Sequence, residues 1–333
     1  MPPLYPLRFE PIFKRMLWGG TRLPGLLRRP CPEGGPIGEA WLVSDVDGHL
    51  SVVSNGPWAG TTLRQLLERH APEIVGPSRQ NLQDPSRFPL LLKFIDAQQE
   101  LSVQVHPDDH YAARLGPGYR GKTEAWVVLE RDPQQSRIYA GFRPGVTADT
   151  FRLALQQGQV ADTLHSFIPQ LGDCIYLEAG TVHALGAGLL VFEIQQSSDI
   201  TYRLYDWDRI DKVTGRPRPL HIDQALACID WSRGPCYPVR PAVVVSSGLR
   251  REGLVRCRYF TLERLTLHAP TVVGQEGQCR LLVLLEGIAR CQWQAHTDEL
   301  VAGDVLLLPA VVGAILLQPC TATVTLLECG LPS

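Results

Sequence analysis

Several side chains that commonly bind divalent metal ions fall within residues 102–183 of this 333-residue sequence. In LSVQVH, strand alternation places Ser102, Gln104 and His106 on one face. Glu124 stands in GKTEAWVVLE, and His183 stands in EAGTVHAL. A borderline cation such as Zn²⁺ takes imidazole nitrogens and carboxylate or amide oxygens at about 2.0–2.2 Å, and it can leave a position open for water or substrate. The sequence therefore predicts a metal site formed by the glutamine, the glutamate and the two histidines.

Each of these residues also has a simpler explanation when it is taken alone. A polar strand face often meets solvent, and Glu124 would then be an exposed carboxylate at the end of a strand. A histidine such as His183, placed after a turn, is more often a polar loop residue than a ligand. The metal site is favoured because all the donor types that it needs occur together.

Two charged side chains interrupt strands that are otherwise apolar. Glu193 lies in LLVFEIQQ, and Lys93 lies in PLLLKFIDA. Burial raises the pKa of a carboxyl group, so Glu193 is a candidate base near neutral pH. The alternative is a structural carboxylate that is paired with an arginine. An ammonium group among leucines needs a partner, because an unpaired buried charge is strongly disfavoured.

The elements that must position these residues are mostly strands. The 30 glycines and 27 prolines divide the chain into short apolar runs, which is typical of an all-β protein. Helical periodicity is confined to three segments, TTLRQLLERHAPEIV, TADTFRLALQQGQVADTLHSF and LHIDQALACI. We therefore predict a mainly β fold with a few helices.

A weak internal repeat indicates the architecture. Gly172-Asp173 opens GDCIYLEAGTVHAL, and Gly303-Asp304 opens GDVLLLPAVVGAIL, so that His183 aligns with Ala314. Repeated short strands after Gly-Asp turns suit the cupin form of the jelly roll, and the second copy lacks the histidine. The proline-rich stretch at 232–242 predicts a boundary between a catalytic cupin domain, residues 1–235, and a metal-free cupin-like domain, residues 236–333.

The composition excludes several classes of partner. Lysine and arginine total 32 and acidic residues total 34, so the net charge of −2 does not suggest nucleic-acid binding. No apolar run approaches the roughly 18 residues of a membrane helix, and the first residues do not read as a signal peptide. Nine scattered cysteines without a CxxC motif predict reduced thiols in a cytoplasmic protein. The sequence leaves open whether the protein is a monomer or a dimer.

A family resemblance follows from longer motifs. The segments PLLLKFIDAQQELSVQVHPDD, GKTEAWVVL, EAGTVHAL and EIQQSSDITYRLYDWDR resemble the type I mannose-6-phosphate isomerases, in their short bacterial form. Similarity extends to WGG at 18–20 and GEAWLVSD at 38–45. It runs to about residue 230, and beyond that point the chain matches only as a degenerate cupin.

The resemblance implies a reaction and a cofactor. The family interconverts mannose 6-phosphate and fructose 6-phosphate, which makes a small sugar phosphate the expected partner, and the reaction passes through an enediol. One Zn²⁺ per chain is expected. The ligands implied by the family are Gln104, His106, Glu124 and His183.

The resemblance also implies roles for residues around the metal. Glu193 matches the proposed general base, and Arg203 in TYRLYDWDR matches an arginine suited to stabilising the enediolate. Lys122, two residues before Glu124, matches a lysine of the active site. Lys93 and Ser102 correspond to residues near the substrate phosphate. Further candidates for lining the site are Trp18, Glu39, Trp41 and Trp126.

The chain departs from the related proteins at two points. Many cupins have proline before the turn to the metal histidine, where this chain has Glu178, and the large helical insertion of longer relatives is absent. Two other functions remain open. Two histidines and one carboxylate resemble the triad of non-haem iron oxygenases, and a sugar-binding cupin without catalysis is the third reading.

Overall fold

The computed structural model describes residues 2–31, 35–211 and 214–331. Most of this part of the chain is antiparallel β-sheet, and five short α-helices lie at its surface and edges. All nine cysteines fall within it and are free. Among the residues described, no helix has the length and apolar character needed to cross a membrane.

Two sheets facing each other form the first barrel. One has the strand order β1-β2-β5-β12-β7-β10, and the other has the order β13-β6-β11-β8-β9. The strands are β1 (Ile12–Gly20), β2 (Ile37–Val43), β3 (Asp45–Val46), β4 (His49–Leu50), β5 (Leu90–Ala97), β6 (Val103–Val105), β7 (Glu124–Glu130), β8 (Ile138–Phe142), β9 (Leu164–Phe167), β10 (Cys174–Leu177), β11 (His183–Leu185), β12 (Leu189–Gln196) and β13 (Tyr202–Tyr205). The pair β3-β4 forms a separate hairpin.

The second barrel repeats this plan with a six-stranded and a four-stranded sheet. Their strand orders are β14-β15-β16-β23-β18-β21 and β17-β22-β19-β20. The strands are β14 (Ala242–Ser246), β15 (Leu249–Arg256), β16 (Thr261–Leu267), β17 (Thr271–Gly274), β18 (Arg280–Glu286), β19 (Ile288–Trp293), β20 (His296–Val301), β21 (Val305–Leu308), β22 (Ala314–Pro319) and β23 (Val324–Gly330). The prediction of a mainly β fold with two cupin barrels is confirmed. The domain boundary near residue 235 stays a prediction.

The Gly-Asp repeat occupies equivalent places in the two barrels. Gly172 and Gly303 have φ of +80° and +92°, a left-handed conformation that favours glycine. The strands that follow them, β10 and β21, are each the last strand of a six-stranded sheet. His183 begins β11 and Ala314 begins β22, so the second barrel has a methyl group where the first has an imidazole.

The helices lie outside the barrels, at α1 (Arg22–Leu26), α2 (Leu63–Val75), α3 (Asp109–Ala113), α4 (Ala148–Gln157) and α5 (Ile222–Cys228). Helix α2 begins at Thr62, which forms a capping box with Gln65. The predicted helix over 147–167 is wrong in its second half. Gly158, with φ of +68°, ends α4, and a 3₁₀ turn at Val160–Thr163 then leads into β9.

One hydrophobic core extends through both barrels. Phe94 and Phe192 of the first barrel belong to the same buried cluster as Phe260 and Leu327 of the second. The N-terminal segment also joins the barrels, because the backbone N–H of Leu7 donates to the carbonyl of Leu307 at 2.8 Å and the N–H of Leu307 donates to the carbonyl of Leu7 at 2.9 Å. The first barrel is therefore packed against the second over a continuous apolar interface.

Candidate active site

Strand register brings the predicted metal ligands together inside the first barrel. Gln104 is the central residue of β6, and it pairs with His183 on one side and Arg203 on the other. Residues paired directly across an antiparallel sheet point to the same face. His106 follows β6 two positions after Gln104 and shares that face, while Glu124 begins β7 in the opposite sheet.

The two imidazoles lie on either side of one carboxylate. His106 Nε2 is 3.4 Å from Glu124 Oε2, and His183 Nε2 is 3.3 Å from Glu124 Oε1. The ligand atoms of these three residues all lie within 4.8 Å of one another. Each of the three side chains is about 1% exposed. Among the residues described, this is the only such cluster of histidine, cysteine and acidic side chains.

Backbone carbonyls fix the orientation of both rings. His106 Nδ1 lies 2.9 Å from the carbonyl oxygen of Ile200, and His183 Nδ1 lies 2.8 Å from that of Thr181. Each Nδ1 therefore donates its proton, which leaves the Nε2 lone pair directed at Glu124. Burial lowers the pKa of His106 to about 3 and also lowers the pKa of His183, so both rings are neutral near pH 7.

Three of the atoms that face into the cluster make no hydrogen bond in the described part of the chain. Within the described residues, His106 Nε2 and both carboxylate oxygens of Glu124 are buried without a hydrogen bond. Burial favours the neutral acid, but the charge of Lys122 holds the pKa of Glu124 well below its usual range. Lone pairs that face one another at 3.3–3.4 Å form a set of atoms that can bind a cation between them. The spacing fits ligands of one Zn²⁺, which are about 3–3.6 Å apart at bond lengths of about 2.1 Å.

Gln104 supplies the fourth predicted ligand. Its Nε2 lies 3.4 Å from His183 Nε2, and its Oε1 accepts a hydrogen bond from Ser102 Oγ at 3.3 Å. A 180° rotation of the amide exchanges the two atoms and turns the oxygen towards His183. Both orientations keep the amide at the edge of the cluster.

A second row of polar residues crosses the opposite sheet. Register aligns Trp41, Lys93, Glu193 and Trp126 on β2, β5, β12 and β7. Lys93 Nζ lies 3.1 Å from Glu193 Oε1 and 3.3 Å from Glu39 Oε2, and it is 4% exposed. Burial opposes its charge, but the two carboxylates raise the pKa of Lys93 above its ordinary value. The sequence left open that Glu193 is a structural carboxylate paired with an arginine. Its charged partner is instead a lysine, Lys93.

Glu193 has an environment unlike that of Glu124. Trp126 Nε1 donates to its Oε2 at 2.8 Å, and the side chain is 2% exposed. Burial, followed by the negative charge of Glu124, raises the pKa of Glu193, while Lys93 and Lys122 act in the opposite direction. A carboxyl group with a raised pKa can exchange protons close to neutral pH.

Two further cationic side chains, Lys122 and Arg203, lie next to the predicted ligands. Lys122 Nζ lies 3.2 Å from Glu124 Oε2, so it belongs to the ligand cluster. Arg203 is the cross-strand neighbour of Gln104. Its Nη1 donates to the carbonyl of Pro219 at 2.9 Å, and its Nε is buried without a hydrogen bond in the described chain.

Sequence reasoning missed Lys14, whose ammonium lies 4.4 Å from the centre of the Trp41 ring. Its register partner on β2 is Glu39, the residue that also pairs with Lys93. The alternation in IFKRMLWGG carries only a weak signal for this position, because the next residue, Arg15, is also basic. The carbonyls of Ile200 and Thr181 have no signal in the sequence, since every residue carries a carbonyl.

Comparisons with known proteins agree on one family. A model of the family described as phosphomannose isomerase type I, catalytic domain, matches residues 7–133. Mannose-6-phosphate isomerase ManA of Bacillus subtilis is 34% identical over 316 residues, which are 94% of this chain and 96% of that protein. The probable mannose-6-phosphate isomerase GmuF of the same organism is 42% identical over 225 residues, 68% of each chain. The crystal structure of the mannose 6-phosphate isomerase from Bacillus subtilis superimposes with a TM-score of 0.87 at 30% identity, over 97% of this chain and 99% of that one.

Proposed function

The chain belongs to the phosphomannose isomerase type I family, and from that premise we propose that it interconverts mannose 6-phosphate and fructose 6-phosphate by a zinc-dependent reaction through an enediol. The resemblance inferred from the sequence motifs is thereby confirmed. The reaction moves a carbon-bound proton between C2 and C1 and a hydroxyl proton between the two oxygens. It needs a base near the carbons and positive charge near the oxygens.

The observation that carries the proposal is the contrast between two buried glutamates on the paired strands β7 and β12. Glu124 is held as an anion among Lys122, His106 and His183, which suits a ligand. Glu193 is held with a raised pKa beside Lys93, which suits a base. Two carboxylates whose environments shift their pKa values in opposite directions can divide binding and proton transfer between them.

Glu193 is the group that we assign to the carbon-bound proton. Its Oε2 is held by the indole N–H of Trp126, and its Oε1 faces the ammonium of Lys93. These contacts fix the orientation of the carboxylate and leave lone pairs on its oxygens that can accept a proton. The same carboxyl group can take the proton from one carbon and return it to the other, since both carbons are adjacent in the substrate.

The positive charge that the enediolate needs comes from side chains of the loop before β7 and of β13. Lys122 lies within the ligand cluster, and Arg203 stands beside Gln104 on the neighbouring strand. Arginine keeps its charge at any working pH, so Arg203 stabilises an oxyanion without donating a proton. Zn²⁺ bound by Gln104, His106, Glu124 and His183 would supply Lewis acidity that polarises the substrate carbonyl.

Lys93 and Ser102 remain our candidates for the substrate phosphate. Ser102 is 2% exposed and donates to Gln104, while Lys93 has two carboxylate partners. The contacts of Lys93 support an additional role, which is to hold Glu193 in place. The nine free cysteines support a cytoplasmic location for the reaction.

A coupled assay with metal analysis tests the proposal. Purified protein is assayed for fructose 6-phosphate formation from mannose 6-phosphate, then after chelation, and then after Zn²⁺ is restored, with zinc measured on each sample. We expect turnover that is lost with the metal and returns with about one Zn²⁺ per chain. Bound zinc without turnover would contradict the isomerase assignment, and turnover that is unaffected by metal removal would contradict the zinc dependence.

A further inference from the structure

A hairpin of the second barrel contacts helix α3 of the first barrel. It connects β15 to β16 and contains Cys257–Phe260, closed by a hydrogen bond from the Cys257 N–H to the Phe260 carbonyl at 3.0 Å. Phe260 is fully buried in the core that both barrels share. The position of Tyr259, the residue just before it, is therefore fixed by the packing of the whole molecule.

The hydroxyl of Tyr259 bonds to a side chain of the first barrel. It donates to Asp109 Oδ2 at 2.9 Å. The other oxygen of the same carboxylate, Oδ1, accepts from the Gly121 N–H at 3.0 Å and from Gln196 Nε2 at 3.0 Å. Asp109 thus joins the second barrel to two segments that lead into the metal site.

Gln196 continues the connection to the backbone beside a ligand. Its Oε1 accepts from the Thr123 N–H at 2.9 Å, and its own N–H donates to the Thr123 carbonyl at 3.2 Å. Thr123 stands between Lys122 and Glu124. Its Oγ1 also accepts from the Ala179 N–H at 3.2 Å, in the turn that precedes His183.

We propose that Tyr259 is a positioning residue for the metal site, acting through Asp109 and Gln196 on the backbone of residues 121–124. The inference rests on the proposed function for the zinc site and for the effect on turnover, whereas the hydrogen-bonded route itself does not depend on it. Its physical basis is the orientation of one carboxylate. With the tyrosine hydroxyl on Oδ2, the carboxylate of Asp109 keeps Oδ1 directed at both Gly121 and Gln196, and these hold the segment that carries Lys122 and Glu124.

This assignment gives the metal-free barrel a task in the reaction. Its rigid hairpin provides a fixed point outside the first barrel, and hydrogen bonds transmit that position to the ligand Glu124. Partners beyond the ligands orient them, and their removal typically lowers metal affinity or activity by about 10–100-fold. Because Tyr259 acts through two intervening side chains, we expect the lower end of that range.

The test compares Tyr259→Phe with Tyr237→Phe in the full-length protein. Tyr237 is 64% exposed, so its hydroxyl serves as the matched control. Zinc affinity is measured by competition with a chelator, and amide hydrogen exchange of residues 120–124 is measured on the metal-free protein. For Tyr259→Phe we expect about tenfold weaker zinc binding, faster exchange in that segment and a lower kcat with little change in KM. A lower melting temperature with unchanged zinc affinity and exchange would overturn the proposal.

A double-mutant cycle tests the route. Asp109→Ala removes the relay while leaving the α3 cap, because Asp108 accepts the cap hydrogen bond from Tyr111. Adding Tyr259→Phe to Asp109→Ala should then weaken zinc binding no further, whereas additive effects would refute the route. Zinc affinity and hydrogen exchange need no turnover, so they test the relay even if the isomerase assignment fails.

Discussion

Glu124 and Glu193 show how two identical side chains acquire different chemistry. Both are almost fully buried, and both lie near Lys122. Glu124 remains ionised because the ammonium of Lys122 lies 3.2 Å from it, and its oxygens face the lone pairs of two neutral imidazoles, an arrangement that can bind a cation. Glu193 experiences the negative charge of Glu124 in addition to burial, so its pKa is raised despite the ammonium of Lys93. The local charge pattern, and not the residue type, decides which carboxylate is suited to binding a metal and which to exchanging protons.

Replacement of His183 by alanine should remove the metal without unfolding the chain. The ring packs edge-on against Trp126, and its Nε2 is one of the two imidazole donors that face Glu124. We expect zinc content far below one per chain and kcat lower by at least about 100-fold, with the circular dichroism spectrum unchanged. His296→Ala, in an exposed hairpin, is the control. Stoichiometric zinc in His183→Ala would remove this residue from the ligand set.

Glu193→Gln should keep zinc and slow proton exchange at C2 by about 10²–10⁴-fold, the usual contribution of a general base. The wild-type enzyme should lose kcat/KM as the pH falls through the pKa of Glu193, because only the ionised carboxylate accepts a proton. Burial and Glu124 raise that pKa, so the loss should begin above the usual range of a glutamic acid.

The measurements for Glu193 are solvent-deuterium incorporation into substrate and a pH profile of kcat/KM. Glu276→Gln, at an exposed turn, is the matched control. Near-normal exchange in Glu193→Gln would assign the base to another group. A wild-type profile whose acid limb lies within the ordinary range of a glutamic acid would contradict the raised pKa.

At the scale of elements, the site depends on strand register and on close contact between loops. The row Arg203, Gln104, His183 exists because β13 and β11 flank β6 in that order. Opposite it, the loop that leads to Glu124 packs onto the start of α3 through Gly121. A Cβ on Gly121 would lie 2.6 Å from the backbone nitrogen of Asp109, so only glycine fits there.

Gly121→Ala should therefore displace the segment that carries Lys122 and Glu124. The contact is with backbone atoms that cannot rotate away, so we expect a loss of about 1–3 kcal/mol in unfolding free energy and at least tenfold weaker zinc binding. Gly234→Ala, where a Cβ would meet nothing within 4 Å, should leave both quantities unchanged. Denaturant titration and zinc competition measure them. Unchanged zinc affinity in Gly121→Ala would show that this loop does not position Glu124.

At the scale of the whole molecule, one buried hydrophobic cluster spans the two barrels, so they should unfold together. Phe260 lies in that core and is fully buried, so Phe260→Ala should lower the unfolding free energy by about 3–5 kcal/mol. We expect a single calorimetric transition in both proteins, shifted to lower temperature in the variant. Val244→Ala, at a position 63% exposed, is the control. Two separate transitions would indicate that the barrels unfold independently.

Much of this arrangement could be predicted from the sequence. The mainly β fold followed from short apolar runs between turns, and the second barrel followed from the Gly-Asp repeat, because turn residues and alternation act over a few neighbouring positions. The helix predicted over 147–167 was too long for a related reason. Gly158 ends α4 by adopting a left-handed conformation. A glycine within a helical pattern can be either helical or left-handed, and the neighbouring residues do not show which.

The sequence by itself determined which residue types could act at the site and the order, along the chain, of the strands that carry them. Tertiary structure alone decided that Lys93 lies between Glu39 and Glu193, that the pKa values of two glutamates shift in opposite directions, and that Tyr259 contacts Asp109 across 150 residues. The physical reason is one of range. Periodicity and turn chemistry act locally along the chain, whereas electrostatic environment and hydrogen bonding between distant segments exist only after the sheets have paired and the two barrels have packed.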